Sequence, residues 1–293
     1  MKPGQSAEVL LRRFVLGVDF SDRSSRAEGQ ALRLTAQAGA ELAAVHIIDG
    51  ELPERLAEAA VDEARDRSAG LVERGRAAGV QCRLTTARGE PHLELHNIAR
   101  GLDADLIILG AHRISPERNA FVGTTAERIL RAAGRPVLVI RSGLSHEYRA
   151  ALAAIDFFAP DLKPLAAALD LGLVSADKVT AVFGVETEQM RRLKLQAASL
   201  EAVSRAFAAD EAALHAEAEG MLAAAGLNGI RIMVRPLLFN AADFVIATAA
   251  EKCADLLVLG SRRKAAEHRQ PLGSVSETVL RRSNIDVLVV PPA

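Results

Sequence analysis

The chain alternates short, almost wholly apolar runs with longer stretches in which apolar residues return every three or four positions. The first run, Arg13-Phe14-Val15-Leu16-Gly17-Val18-Asp19, stops at an acid; Leu42 to Ile48, Val80 to Thr86, Asp105 to Leu109 and Val137 to Ile140 follow it. Runs without polar alternation fit strands buried on both faces of a parallel sheet. The spacing between them predicts four helices. One is capped by Ser24 and ended by Gly39, and one runs from Pro53 to Ala78 and is closed by Gly79. One is opened by Pro91 and runs to Arg100; the last is capped by Thr124 or Thr125 and runs to Ala133. Strand and helix in alternation predict an α/β unit, a parallel sheet covered on both sides.

The same order then recurs. Strands are predicted at Ala151 to Asp156, Lys178 to Phe183, Ile230 to Pro236, Asp255 to Leu259 and Val287 to Val290. Helices are predicted over Leu162 to Leu173, Gln189 to Ala225 and Phe239 to Lys252, with another, capped, from Ser274. Ala104 to Ile140 aligns without gaps on Ala254 to Val290, at a constant offset of 150 residues. A self-match of this length marks two copies of one folding unit. The halves are expected at residues 1–143 and 144–293, joined by the short polar link Arg141 to Glu147. One length differs between them: Asp19 to Gly110 is 91 residues, Asp156 to Gly260 is 104. The excess falls in Gln189 to Ala225, where Leu193, Leu200, Phe207, Leu214 and Met221 recur every seventh position. That spacing predicts one long helix laying an apolar face on its own sheet.

Composition narrows the function. With 293 residues, 49% hydrophobic and 25% charged, the chain can fill two separate cores. No apolar stretch approaches the roughly 20 residues that span a bilayer, so a cytoplasmic protein without a membrane partner is expected. A net charge of −1, 3% aromatics and no Trp argue against a nucleic-acid partner. Cys82 and Cys253 fall at non-equivalent places, as a strand thiol and a helix-end thiol rather than a disulfide or metal pair. His92 and His96 flank Glu94, but Leu93 stands where a metalloprotease helix needs its glutamate, so surface histidines and no metal are expected. Glu127 with Arg131, and Glu277 with Arg281, predict one surface ion pair in each copy. No serine or cysteine nucleophile has a partnered base in a recognisable motif, so no catalytic residue is assigned.

The candidate chemistry lies at strand ends. Ligands of open parallel sheets bind beyond the carboxyl ends of the strands, where the strand order reverses. Asp19 ends the first strand and Gly110 the fourth, and a loop from Gly110 leads to Gly123-Thr124-Thr125 at a helix start. Unpaired N–H groups, hydroxyls and a glycine there suit a phosphate, while Asp19 can accept hydrogen bonds from a ribose or an adenine amine. The second copy repeats the set as Asp156, Gly260, Gly273 and Ser274.

Together with the ADLIxxG strand, Gly89-Glu90-Pro91, the G(T/S)xxExxLR helix start and the final VLV strand, these residues resemble the universal stress protein family, in tandem. The resemblance covers nearly the whole chain, twice. It implies five parallel strands per domain in the order 3-2-1-4-5. It also implies a non-enzymatic stress-response protein whose ligand is ATP or a related adenine nucleotide. Family members that bind ATP carry Gly-x2-Gly-x9-Gly-(Ser/Thr) in this loop, with an acid ending strand one. Here the second glycine of that motif is Arg113 in one copy and Arg263 in the other. Either the arginine blocks the pocket or its guanidinium pairs with the phosphates. Arg262, Lys264 and His268 add charge to the second loop, and Phe158 is a candidate to fill the second crevice where the first copy has Ser21.

The last strand of each copy would be an exposed apolar edge, which invites association. The simplest arrangement sets Val137–Ile140 against Val287–Val290 about a pseudo-twofold axis, as the dimers of single-domain family members imply. One chain would then be its own dimer, and a homodimer of such chains stays open. Two other readings remain: a nucleotide-free scaffold with arginine-plugged pockets, and a slow ATPase.

Overall fold

A computed structural model describes residues 12–111, 125–132, 134–143, 145–261 and 273–292. The first half runs β1 (Arg13–Val18), α1 (Asp22–Ala38), β2 (Glu41–Ile48), α2 (Glu54–Ala77), β3 (Cys82–Arg88), α3 (Pro91–Gly101), β4 (Leu106–Gly110), α4 (Thr125–Ala132) and β5 (Val137–Ile140). The second half begins β6 (Ala151–Asp156), α5 (Lys163–Asp170), β7 (Val179–Val185), α6 (Glu188–Leu195) and α7 (Leu200–Ala224). It ends β8 (Arg231–Pro236), α8 (Ala241–Glu251), β9 (Leu256–Gly260), α9 (Ser274–Arg282) and β10 (Asp286–Val290). Strand order is β3-β2-β1-β4-β5-β10-β9-β6-β7-β8, so each half has the order 3-2-1-4-5 and the two sheets fuse into one.

Burial on both faces explains the apolar runs. Along β1, Phe14 and Leu16 enter one core layer, and Val15 enters the other. Gly17 keeps β1 close to its neighbours, because a Cβ there would stand 2.8 Å from Leu109 and 3.3 Å from Leu95. The ADL aspartates do the same work in both halves: Asp105 accepts from Arg13 N at 2.8 Å, and Asp255 from Arg149 N at 2.8 Å. Each thus ties the start of strand four to the entry of strand one.

The halves meet as two antiparallel edges. Val139 pairs with Val287, Leu138 with Leu288 and Val137 with Val289, whereas all the other strand pairs are parallel. Because equivalent residues are 150 apart, Leu138 faces its own counterpart, and the local twofold passes between them. Val137, Leu138, Val287, Leu288 and Val289 are 0% exposed and Val139 is 2%. Full burial of each such side chain stabilises by about 1.5–3 kcal/mol relative to exposure, so this seam is an internal core rather than a hinge.

The link between copies is stapled as well. Fully buried Asp286, at the start of β10, accepts from Arg141 N (2.7 Å), Ser142 N (2.8 Å), Ser142 Oγ (3.1 Å) and Tyr148 Oη (2.7 Å). Gln30 of α1 exchanges two 2.9 Å hydrogen bonds with the His146 backbone. These contacts meet the backbone groups that a link crossing an interface would otherwise leave unpaired.

Several local expectations are corrected. Ser21, not Ser24, caps α1; its hydroxyl accepts from Ser24 N at 3.3 Å. The stretch Gln189 to Ala225 is two helices, not one. Ala197 adopts φ 53° after α6, and Ser199 starts α7 by accepting from Ala202 N. With α2 spanning 24 residues and α7 spanning 25, the longer second half owes its excess to an inserted helix, α6, rather than to a longer one. Among the described residues no helix is long and apolar enough to cross a membrane.

Candidate functional site

In the first half β1 lies between β2 and β4, and the chain reverses its direction across the sheet there. Continuing the β1–β4 register from the pair Gly17 and Leu109 brings Asp19 and Gly110 to neighbouring carboxyl ends. The pairing of strand ends expected from the sequence is therefore met. Asp19 is exposed, and its Oδ1 accepts from Ser21 N (3.0 Å) and Ser21 Oγ (2.6 Å). Its backbone N–H donates to Ser24 Oγ at 3.2 Å. The carboxylate is thus held through Oδ1.

Between these residues sits a feature the sequence did not disclose. Phe20 has φ 58°, a left-handed conformation that is an outlier for a bulky side chain. Its ring lies 4.6 Å from the His46 ring, and the Arg67 guanidinium sits 5.0 Å over it on α2. His46 Nδ1 is 2.9 Å from Val18 O; a carbonyl only accepts, so Nδ1 carries the proton. Strand β2, helix α2 and the Asp19 turn are thus locked around one aromatic ring. Behind the turn, Glu28 of α1 pairs with Arg74 of α2 at 2.8 Å. Burial raises the Glu28 carboxyl above its ordinary pKa, against the lowering pull of Arg74.

The second half builds its mouth differently. Asp156 Oδ1 accepts from Phe158 N (3.0 Å) and Ala159 N (3.3 Å), holding the longer connection 157–162 before α5. Phe158 does not fill the crevice: it is 62% exposed, and its neighbour Phe157 is the buried ring. What stands at the end of β9 is Asp161 and Pro164. A Cβ on Gly260 would lie 3.2 Å from Pro164 Cγ and 3.5 Å from Asp161 Oδ2. The Gly260 carbonyl is also taken, by Ser276 Oγ at 2.8 Å, where the first half has Ala126. Asp156, Gly260 and the α9 start at Gly273 and Ser274 are present, but a carboxylate and a proline lie against the glycine.

Arg113, Gly123, Thr124, Arg262, Arg263, Lys264 and His268 lie outside the described residues. Thr125 opens α4, the helix that the first loop enters. Two residues on stands Glu127, whose expected partner Arg131 has a side chain outside the described ones. The Glu127 side chain is buried and reaches across the seam to Arg281 Nε at 3.1 Å, while Arg281 also holds Glu277 at 2.7 Å. His92 pairs with Glu90 at 3.4 Å.

Comparison with known proteins decides the family. A sequence model described as "Universal stress protein family" matches residues 11–141 and again 147–291. The chain belongs to the universal stress protein family. Curated relatives match one half at a time. Universal stress protein MJ0531 of Methanocaldococcus jannaschii is 26% identical over 146 residues, covering 47% of this chain and 86% of that protein. Universal stress protein YxiE of Bacillus subtilis is 24% identical over 148 residues, covering 45% of this chain and 100% of its own length. Solved structures match the tandem as a whole. A universal stress protein from Archaeoglobus fulgidus DSM 4304 aligns over 96% of this chain and 98% of its own, with TM-score 0.68 and 18% identity. A functionally unknown protein from Pseudomonas aeruginosa PAO1 aligns over 97% and 93%, with TM-score 0.65 and 17% identity. At such identities these two similarities establish the fold of the tandem universal stress protein.

Proposed function

We propose that this universal stress protein is a non-enzymatic regulator of the cytoplasmic stress response. It binds ATP or a related adenine nucleotide in the first half, divided from the second at residue 143. The observation that carries the reading is the exposed Asp19 carboxylate, held beside Gly110 where the strand order reverses. In this reading Asp19 receives the ribose or the adenine amine. The loop from Gly110 to Gly123, Thr124 and Thr125 receives the phosphates at the α4 N-terminus. The second half serves as the structural partner. Asp161 puts a negative charge beside Gly260, where phosphate would have to come, and Pro164 takes the space.

Arg113 is the departure that tests the phosphate side. If its side chain blocks, Arg113→Gly strengthens ATP binding; if it clamps phosphate, the same change weakens it. An unchanged affinity removes the loop from the account. Mass spectrometry of gently denatured protein is the direct test of the ligand. Co-purifying ATP, ADP or AMP supports the proposal, and an empty protein that millimolar ATP leaves thermally unshifted contradicts it. The nucleotide-free scaffold is kept as a second reading because Leu195, which ends the inserted α6, and Leu200, which opens α7, are 82% and 51% exposed.

A further inference from the structure

The outer edge of β3 has no strand partner among the described residues, and helix α2 runs above it. Arg65, Ser68, Val72 and Arg76 recur three or four residues apart and therefore share one face of α2. That face borders two adjoining hollows that share Val72 and Arg76: one of about 470 Å³ crosses the starts of β1, β2 and β3, and one of about 430 Å³ reaches Leu84 of β3. Their lining is partly apolar, from Val72 and Leu84, and its charge is unbalanced: Arg13, Arg65, Arg76 and Arg83 face only Glu41 and Glu73. Arg13 is committed to the Leu102 carbonyl and Arg65 to Asp62, but among the described residues the Arg76 and Arg83 side chains have no ion pair or hydrogen bond. Ser68, 2% exposed, keeps in the same lining a hydroxyl without a hydrogen-bond partner among the described residues. Orphaned buried hydroxyls are uncommon and costly, so this one marks a place where a polar partner belongs.

We propose that this trough receives an extended acidic peptide segment of a partner protein, which adds to the free edge of β3 as an eleventh strand. Its main chain pairs with β3; on the side of α2 an apolar side chain rests on Val72 and Leu84 and a carboxylate meets Arg76, and on the opposite side of the sheet a carboxylate meets Arg83. The dimensions agree. Arg65 to Arg76 is three helical turns, roughly 16 Å at about 1.5 Å per residue, which five residues of strand cover at about 3.3 Å each. Among the described residues the edge itself is open: β3 contains no proline, whereas β8, at the far end of the sheet, ends in Pro236, which has no N–H to offer. Charge selects the occupant. A second copy pairing edge to edge would bring one arginine-rich rim against another, while an acidic strand answers both free guanidinium groups.

The test uses the full chain and two fluorescein-labelled, end-blocked peptides, one repeating Val-Glu-Glu and one repeating Val-Lys-Lys, so that both faces of the added strand carry charge. Fluorescence polarisation is expected to show binding of the glutamate peptide alone. The Arg76→Glu, Arg83→Glu double variant should weaken it at least tenfold while melting at the same temperature, because both side chains are exposed. Arg76→Gln, Arg83→Gln should weaken it less. Amide hydrogen exchange should slow within residues 82–88 on binding. Equal binding of both peptides, no binding, full binding by the double variant, or unchanged exchange in β3 would each overturn the proposal. Displacement by inorganic phosphate or free glutamate at the peptide's own concentration would also overturn it, in favour of a small-anion site.

Discussion

At Phe20 the backbone and the side chain pull in opposite directions. Holding a non-glycine residue at φ 58° costs about 1–2 kcal/mol, and the contacts with His46 and Arg67 offset that cost. Phe20→Gly removes strain and stacking together. Stability in a urea melt should therefore change by less than about 1 kcal/mol. ATP affinity, however, should fall at least tenfold, because the turn that fixes Asp19 loses its clamp. Unchanged affinity would make the aromatic cluster a purely structural device. Asp19 and Gly110 were legible in the sequence because each ends an apolar run, and strand ends are where such sheets bind. The Phe20 conformation was not legible, since nothing in Asp-Phe-Ser marks a left-handed aromatic. Nor were Asp161 and Pro164, whose approach to Gly260 depends on how a longer connection folds back.

The two thiols differ for a similar reason of place. Burial, reinforced by Glu28, pushes the Cys82 thiol up to about 11, whereas Cys253 is exposed. Thiolate is the reactive form, so iodoacetamide at pH 8 should label one thiol per native chain, at Cys253. Rapid double labelling of folded protein would contradict this.

At the scale of elements, the sequence showed where the second half is longer but not how. Leu193 and Leu200 keep the sevenfold spacing of Phe207, Leu214 and Met221, although the first lies on α6 and the second begins α7. A two-helix break that preserves phase looks continuous, and Ala197-Ala198-Ser199 contains no glycine or proline to punctuate it. The break instead relies on Ala197 in the left-handed region, with Ala197 N bonded to Lys194 O and Ala198 N to Leu193 O, both at 3.0 Å. Glycine favours that position by about 1 kcal/mol. Ala197→Gly should stabilise the protein by roughly that amount in equilibrium denaturation. A destabilised variant would show that the helix break is not held in this conformation. The paired motifs Glu127 with Arg131 and Glu277 with Arg281 looked like helix-surface chemistry. Only the meeting of the two halves reveals that Arg281 also spans them, because spacing along a helix carries no information about what packs against it.

At the scale of the molecule, the seam makes one chain out of two sheets. The edge strands could be paired from the sequence, since an apolar last strand in each copy demanded cover; Asp286 could not, because Pro136 occupies the corresponding place in the first copy. Asp286→Ala would orphan Tyr148 and two backbone N–H groups at the link, costing about 3 kcal/mol. A urea midpoint unchanged by this substitution would remove the staple from the account. Tyr148 offers an independent readout as the only tyrosine of the chain. Burial first, and then the Asp286 carboxylate, raise its pKa well above the ordinary value. Its folded-state contribution is therefore complete below about pH 10 and is lost as pH rises beyond that. Tyrosinate absorbance should appear only with unfolding; its appearance in folded protein near pH 10 would contradict the buried staple.

The central claim is that a doubled fold carries one nucleotide site, in its first half. Isothermal titration of ATP into the full chain, Asp19→Ala and Asp156→Ala tests it most directly. The account predicts one ATP per chain, abolished or weakened at least tenfold by Asp19→Ala and retained by Asp156→Ala. Two equivalent sites, or binding that survives Asp19→Ala and disappears with Asp156→Ala, would contradict it.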